Sequence, residues 1–256
     1  MAEPIGRGSQ NPHRVMMAST APARPGPGLT IVTVGRGRTP EEVGAMDTLV
    51  RHLLREAGTS YAREAGITLK DQPAPLFQLL VLANLLSTRI NADIALAAAR
   101  ELFAAGGTTP RGMTRLSWQD RVDALGRGHY VRYDESTATR LGEMSDLVRE
   151  KYGGDLRRLA RDSEHDPGRA RELLQEFSGI GPTGAGIFCR EAQAVWPWLR
   201  PYLDDQTTKG ADRLGLPKDP KRLADLVPEG DLARFAAALV RVARDRKLAD
   251  SIRRER

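Results

Sequence analysis

The sequence has a single cysteine, Cys189, in 256 residues. One thiol excludes an intramolecular disulfide and any four-cysteine metal cluster within the chain. No apolar run reaches the roughly 18 residues of a membrane-spanning helix. The richest stretch, Leu76 to Leu86, is broken by Gln78 and Asn84. Strand-type alternation is nearly absent, and aromatics at 5% argue against a stacking platform for long single strands. The four histidines, His13, His52, His129 and His165, have no metal-ligand spacing. The first residues lack the basic start, continuous apolar run and small-residue cleavage site of a signal peptide. These absences lead us to expect a soluble cytoplasmic chain, nucleoid-associated in a prokaryote, with no membrane partner.

What is present is charge of both signs. Charged residues make up 28% and apolar residues 40%, enough for a real core. The net charge is +6 and the pI near 9.8, which suggests a polyanionic partner only once the excess is localised. Residues 1–38 carry one acid, Glu3, and five arginines, a net +4; residues 231–256 carry eight bases and four acids, again +4. The stretch between is therefore −2. The first 38 residues also hold 11 glycines and prolines, against 30 in the other 218. Runs such as Ala21-Pro22-Ala23-Arg24-Pro25-Gly26-Pro27-Gly28 cannot bury enough surface to offset the entropy of ordering them. Residues 1–38 are expected to be a mostly disordered basic tail, 1–28 wholly so, with Leu29 to Val34 as a candidate strand.

From residue 39 the apolar period becomes helical. Thr39, Pro40 and Glu42 form a capping-box start, and Val43, Met46, Leu49, Val50, Leu53 and Leu54 fall on one face. Pro75 to Ser87 is apolar nearly all round, which marks a central helix. Asn91 caps a third helix, stopped by Gly106-Gly107. Asp134 or Ser136 opens a fourth, ended by Gly153-Gly154. Residues 168–177 and a final helix capped by Asp231 follow. The expected fold class is all-α.

The segment Phe177-Ser178-Gly179-Ile180-Gly181-Pro182-Thr183-Gly184-Ala185 satisfies G-x-G-x-x-G, and Asp204 lies twenty residues beyond Gly184. A dinucleotide site of that form needs a buried strand before the glycines. Arg169 to Phe177 is instead charged and helically spaced, so that reading fails on context. The segment reads as helix, tight glycine turn, helix. Glycines on both sides of Ile180 allow positive φ, Ile180 anchors the turn, and Pro182 opens the next helix. That helix's first amides have no intrahelical partner and suit a phosphate oxygen. On these residues alone the turn either grips a phosphate backbone or simply joins two helices.

With its surroundings, the segment resembles the helix-hairpin-helix (HhH-GPD) DNA glycosylase superfamily typified by endonuclease III. That family's hairpin, L-P-G-h-G-x-K-T-A, is followed by h-D-T-H and then R-L-G; here Leu203-Asp204 and Arg213-Leu214-Gly215 keep the order, with Asp204 and Arg213 nine residues apart. Upstream, Phe77-Gln78-Leu79-Leu80 and Leu85-Leu86-Ser87-Thr88-Arg89 look like the family's buried helix and the L-L-S-x-Q that ends it. Gly128-His129-Tyr130 before a long helix is also similar. The resemblance covers residues 74–216. It implies a two-lobed fold, with a helical barrel at roughly 88–200 and a second lobe from 39–87 and 201–256. Double-stranded DNA would cross the cleft of a monomer, with one nucleotide turned out of the stack.

The resemblance also implies roles. Asp204 matches the catalytic aspartate, which stabilises positive charge on the sugar; the alternative is a plain helix cap. Gly179, Ile180, Gly181, Thr183 and Gly184 match the DNA-gripping hairpin, where a monovalent cation can sit. Arg89, in place of the glutamine, either fills the gap left by the flipped base or is a surface charge. His129 and Tyr130 either contact that base or pack as a loop. Thr183 replaces the lysine nucleophile and cannot form a Schiff base, so strand-cleaving lyase chemistry is expected to be missing. Cys189 alone cannot ligate the family's iron–sulfur cluster. The expectation is a base-releasing glycosylase without cluster or lyase activity; the alternative is a DNA-binding hairpin protein that lost the chemistry, as Thr183, Arg89 and Gln206 (for the histidine of D-T-H) would allow.

Deleting residues 1–28 is expected to weaken DNA binding at low salt while sparing base release, because the tail adds sequence-blind charge. Anisotropy titrations and a base-release assay on the truncated chain check this. Loss of base release would place part of the tail inside the folded body.

Overall fold

The computed structural model describes residues 40–254, with side chains from residue 44. The expected tail, the candidate strand at Leu29 to Val34 and the Thr39 capping box lie outside the described residues. Within them the chain is all-α, with no strand. Its helices are α1 (Pro40–Ala57), α2 (Tyr61–Glu64), α3 (Pro73–Leu86), α4 (Ala92–Ala104), α5 (Pro110–Arg115), α6 (Trp118–Arg127) and α7 (Asp134–Tyr152). There follow α8 (Arg157–Asp162), α9 (Pro167–Leu174), α10 (Pro182–Ala192), α11 (Asp205–Leu214), α12 (Pro220–Ala224), α13 (Leu232–Arg244) and α14 (Arg246–Arg254). Among the described residues, no helix is long and apolar enough to cross a membrane.

The helix ends follow local chemistry. Asn91 accepts from the Asp93 amide to start α4, and Gly153 ends α7 with a left-handed φ of 60°. The short α5 and α12 are capped by Thr109 and Asp219 but hold too few turns for a periodic pattern. One expected cap is corrected. Asp231 makes no side-chain cap to α13, because its carboxylate is taken by Arg234 at 2.7 Å.

Two apolar cores form. The first gathers side chains from α2 through α10 around α3, whose residues Leu76, Phe77 and Leu79 to Leu86 are all buried. Each such leucine contributes about 1.5–3 kcal/mol of burial. The second gathers Leu49, Val50 and Leu53 of α1 with Leu214, Phe235, Leu239 and Ile252. Helix α13 serves both, giving Ala237 and Val240 to the first and Phe235, Ala236 and Leu239 to the second. The resemblance implied a second lobe that includes residues 39–87; within the described residues α3 packs in the first core. A helix apolar on every side has no face to turn to solvent, so it sits where helices surround it.

Helices α11 and α13 cross closely at Gly210, where an added Cβ would lie 2.0 Å from the Leu239 carbonyl oxygen. Arg213 reinforces the crossing by donating to the Val242 carbonyl at 3.0 Å. In the first core, Glu191 of α10 is buried and accepts from the Tyr61 and Ala62 amides at 3.2 and 3.0 Å. Those amides open α2, so a carboxylate satisfies donors that a short helix leaves free. Burial nonetheless outweighs these hydrogen bonds and raises the Glu191 pKa.

Gly210→Ala is therefore expected to destabilise by at least 1–3 kcal/mol on the usual scale of overpacking, read as a lower urea midpoint. Glu191 gives a pH test. Its raised pKa means that the fold favours the protonated form, so its contribution is full below the ordinary carboxylate range and falls as pH rises through the raised value. The stability of the wild type relative to Glu191→Gln is expected to shrink as pH rises above the ordinary carboxylate range, read as urea midpoints at stepped pH. A difference that grows with pH would mean that the fold favours the carboxylate.

Candidate functional site

The predicted glycine hairpin is present. Helix α9 ends at Leu174, the chain turns through residues 175–181, and α10 starts at Pro182. Ile180 is buried and pins the turn. Only one of the two flanking glycines uses positive φ. Gly179 has φ 80°, whereas Gly181 is extended at φ −93° and precedes α10 without a side-chain cap. Gly179 also has no room for a side chain, since a Cβ would meet Asn84 Nδ2 at 2.4 Å. That same amide donates to the Ser178 carbonyl at 3.0 Å, tying the turn to α3. Gly181, Pro182 and Thr183 are exposed at the start of α10, where a helix's first N–H groups lack intrahelical partners and Pro182 has no N–H.

Asp204 caps α11. Its Oδ1 accepts from the Gln206 and Thr207 amides at 3.1 and 3.2 Å. Its Oδ2 forms an ion pair with Nη1 of Arg190. The Asp204 side chain is 25% exposed and that of Arg190 10%. Gly186, one turn before Arg190, makes this approach possible. An added Cβ there would lie 3.4 Å from Asp204 Oδ2, 3.7 Å from Tyr202 Oη and 3.8 Å from Arg190 Nη1. Three polar groups therefore converge over one glycine. Burial pushes the Tyr202 phenol up to about 12, so it remains a proton donor.

These groups line a cleft of 560 Å³ bounded by Leu86 of α3, Arg171 of α9, Pro182, Thr183, Gly186, Ile187 and Arg190 of α10, residues 201–206 and Val240 and Arg244 of α13. Thr183 and Asp204, separated by 21 positions in the sequence, share its wall. Asp205 lies beside Asp204 at the first position of α11 and faces the same cleft. Arg171, Arg190, Arg244, Gly186 and Tyr202 were not among the sequence candidates. The signal for Arg190 was a charge inside an apolar helix, but only the fold shows which carboxylate it meets.

The remaining candidates lie elsewhere. Gly179 and Gly181 are at the exposed turn, and Gly184 packs on Ile180. Arg89 is exposed just beyond α3 and does not line the cleft. Of the two readings for Tyr130, the structure has the packed one: the ring is fully buried, with its hydroxyl 2.8 Å from Thr88 Oγ1. His129 is exposed, in a left-handed conformation with φ 63°, and also lies off the cleft lining. Cys189, the sequence's single cysteine, is buried in the first core with the thiol pushed up to about 12 by burial. Among the described residues, no group of three or more His, Cys, Asp or Glu side chains is placed to hold a metal ion.

No family model matches the chain, and no curated protein matches it. Two solved structures are similar in fold. One is a trapped endonuclease III–DNA covalent intermediate, an estranged-adenine complex, at 15% identity over 76% of this chain and 84% of that one, TM-score 0.43. The other is a non-covalent endonuclease III–DNA complex, at 14% identity over 80% of this chain and 85% of that one, TM-score 0.49.

Proposed function

We propose that this chain is an endonuclease III-like DNA glycosylase of the helix-hairpin-helix superfamily. It hydrolyses the bond between the sugar and a flipped damaged or mispaired base in double-stranded DNA. The observation that carries this reading is the shared wall of Thr183 and Asp204 in a cleft large enough for a nucleotide. The uncapped start of α10 then receives a backbone phosphate through amides that read no sequence. The Asp204 carboxylate, fixed by two amides and Arg190, faces the cleft where positive charge grows on the sugar. Threonine at 183 offers no amine for a Schiff base, so the base is released by water alone and the strand stays intact. The protein acts as a monomer without an iron–sulfur cluster.

One observation favours a second reading, a DNA-binding protein without catalysis. Both Asp204 oxygens are already engaged, one by the α11 amides and one by Arg190, as a purely structural cap would be.

Duplexes carrying uracil, a G·T mismatch, alkylated bases or oxidised bases separate the two. Base release is expected on at least one substrate, with strand breaks only after alkali, and Asp204→Asn is expected to lower the rate on the order of 10²-fold or more. Lesion binding with no base release on any duplex, unchanged in Asp204→Asn, would establish the second reading. Nicking without alkali would overturn the inference from Thr183.

A further inference from the structure

Breaking an N-glycosidic bond separates charge in two directions. The C1′–N bond breaks with both electrons going to the base, the sugar becomes cationic, and the ring spreads the negative charge onto its carbonyl oxygens. Water then adds its oxygen to C1′, and the proton it loses neutralises the released base. A site complementary to this transition state needs an anion near the sugar and a cation near the base. The cleft holds such a pair ready-made, since Asp204 and Arg190 lie in contact on its wall.

We propose that Arg190 is a catalytic residue that stabilises the departing base as an anion, and that it thereby selects bases carrying carbonyl oxygens. The proposal rests on the glycosylase reading. A guanidinium carries five N–H donors and no acceptor, and Asp204 engages Arg190 through Nη1. The side chain is nine-tenths buried and its exposed remainder borders the cleft. In such a partly dry site a fixed charge acts more strongly than in water. Arginine also stays protonated throughout and cannot replace Asp204 as a base. Tyr202, whose hydroxyl flanks the same patch over Gly186, adds a second donor.

The Asp204 oxygens, which would otherwise accept hydrogen bonds from an amino group, are held by the α11 amides and by Arg190. The patch around Arg190 is therefore rich in donors. It matches the carbonyl groups of uracil or hypoxanthine and mismatches the exocyclic amines of cytosine and adenine, from which deamination makes them. At the exocyclic position an amino group donates and does not accept, so it leaves these donors unpaired.

The test compares leaving groups within one variant, so that a folding defect cancels. Duplexes carry uracil, 5-fluorouracil, hypoxanthine or 7-methylguanine, and single-turnover release is measured for the wild type, Arg190→Gln and Arg190→Lys. 5-Fluorouracil leaves as the more stable anion, and 7-methylguanine leaves neutral. Arg190→Gln is expected to slow uracil release on the order of 10²–10³-fold and 5-fluorouracil about tenfold less than that, with Arg190→Lys recovering part of the loss. Equal losses on uracil and 5-fluorouracil would make Arg190 merely structural and overturn the proposal. A loss on 7-methylguanine as large as that on uracil in Arg190→Gln would overturn it too, while leaving the glycosylase reading intact. Release of no base from any duplex would instead remove the glycosylase reading, and this inference with it.

Discussion

The site depends on the burial of two adjacent ionisable side chains in α10, a guanidinium and a carboxyl whose pKa burial raises. Arg190 and Glu191 interrupt an otherwise apolar helix, and both are buried. Removing an ion from water costs several kcal/mol unless partners replace the lost hydration. Successive helical residues point about 100° apart, and each of these side chains finds its partner elsewhere. Arg190 meets Asp204 at the start of α11, and Glu191 meets the amides that open α2. One helix thereby anchors a segment of the N-terminal half and the cap of α11. Since Asp204 is both cap and ion-pair partner, the geometry of the candidate site and the solvation of a buried charge are the same problem.

Small residues set how closely these pieces meet. Gly186 lets the polar cluster form against α10, and Gly210 lets α11 lie on the backbone of α13. At neither position is φ positive. Steric room, and not conformational freedom, is what glycine supplies there. Gly179 needs both, since its φ is 80° and Asn84 fills the space beside it. Substituting the hairpin glycines would therefore act differently at each position, because Gly181 is extended with open space around its α-carbon.

How much of this was legible follows the range of each interaction. The central place of α3, the caps of α4 and the glycine stop of α7 are local, and their residues announce them. The helical character of α9 and α10 was enough to exclude a dinucleotide fold, because periodicity before the glycines is a local property as well. Short helices such as α2 and α8 were not visible, having too few turns to show a period. The burial of Tyr130 was hidden for a related reason. An aromatic in a glycine-rich loop gives no sign of its burial, and its hydroxyl partner, Thr88, is 42 positions away in the sequence. Asp204 was found by its spacing within a motif, whereas its partner Arg190 required knowing that α10 and the start of α11 lie side by side.

The charge of the whole chain is a poor guide to the charge that matters. The net +6 is carried by the two ends of the sequence, and the stretch between them is slightly acidic. The cleft nevertheless gathers Arg171, Arg190 and Arg244 opposite Asp204 and Asp205. A lysine at position 183 would join three arginines, whose field favours the neutral, nucleophilic amine. Threonine offers no amine at that position. Among the described residues, the cation paired with Asp204 is a guanidinium, which stays charged and does not attack carbon. On the proposed glycosylase reading, Thr183 and Arg190 point the same way: a fixed pair of charges would separate the base from the sugar, and the bond-forming step would be left to water.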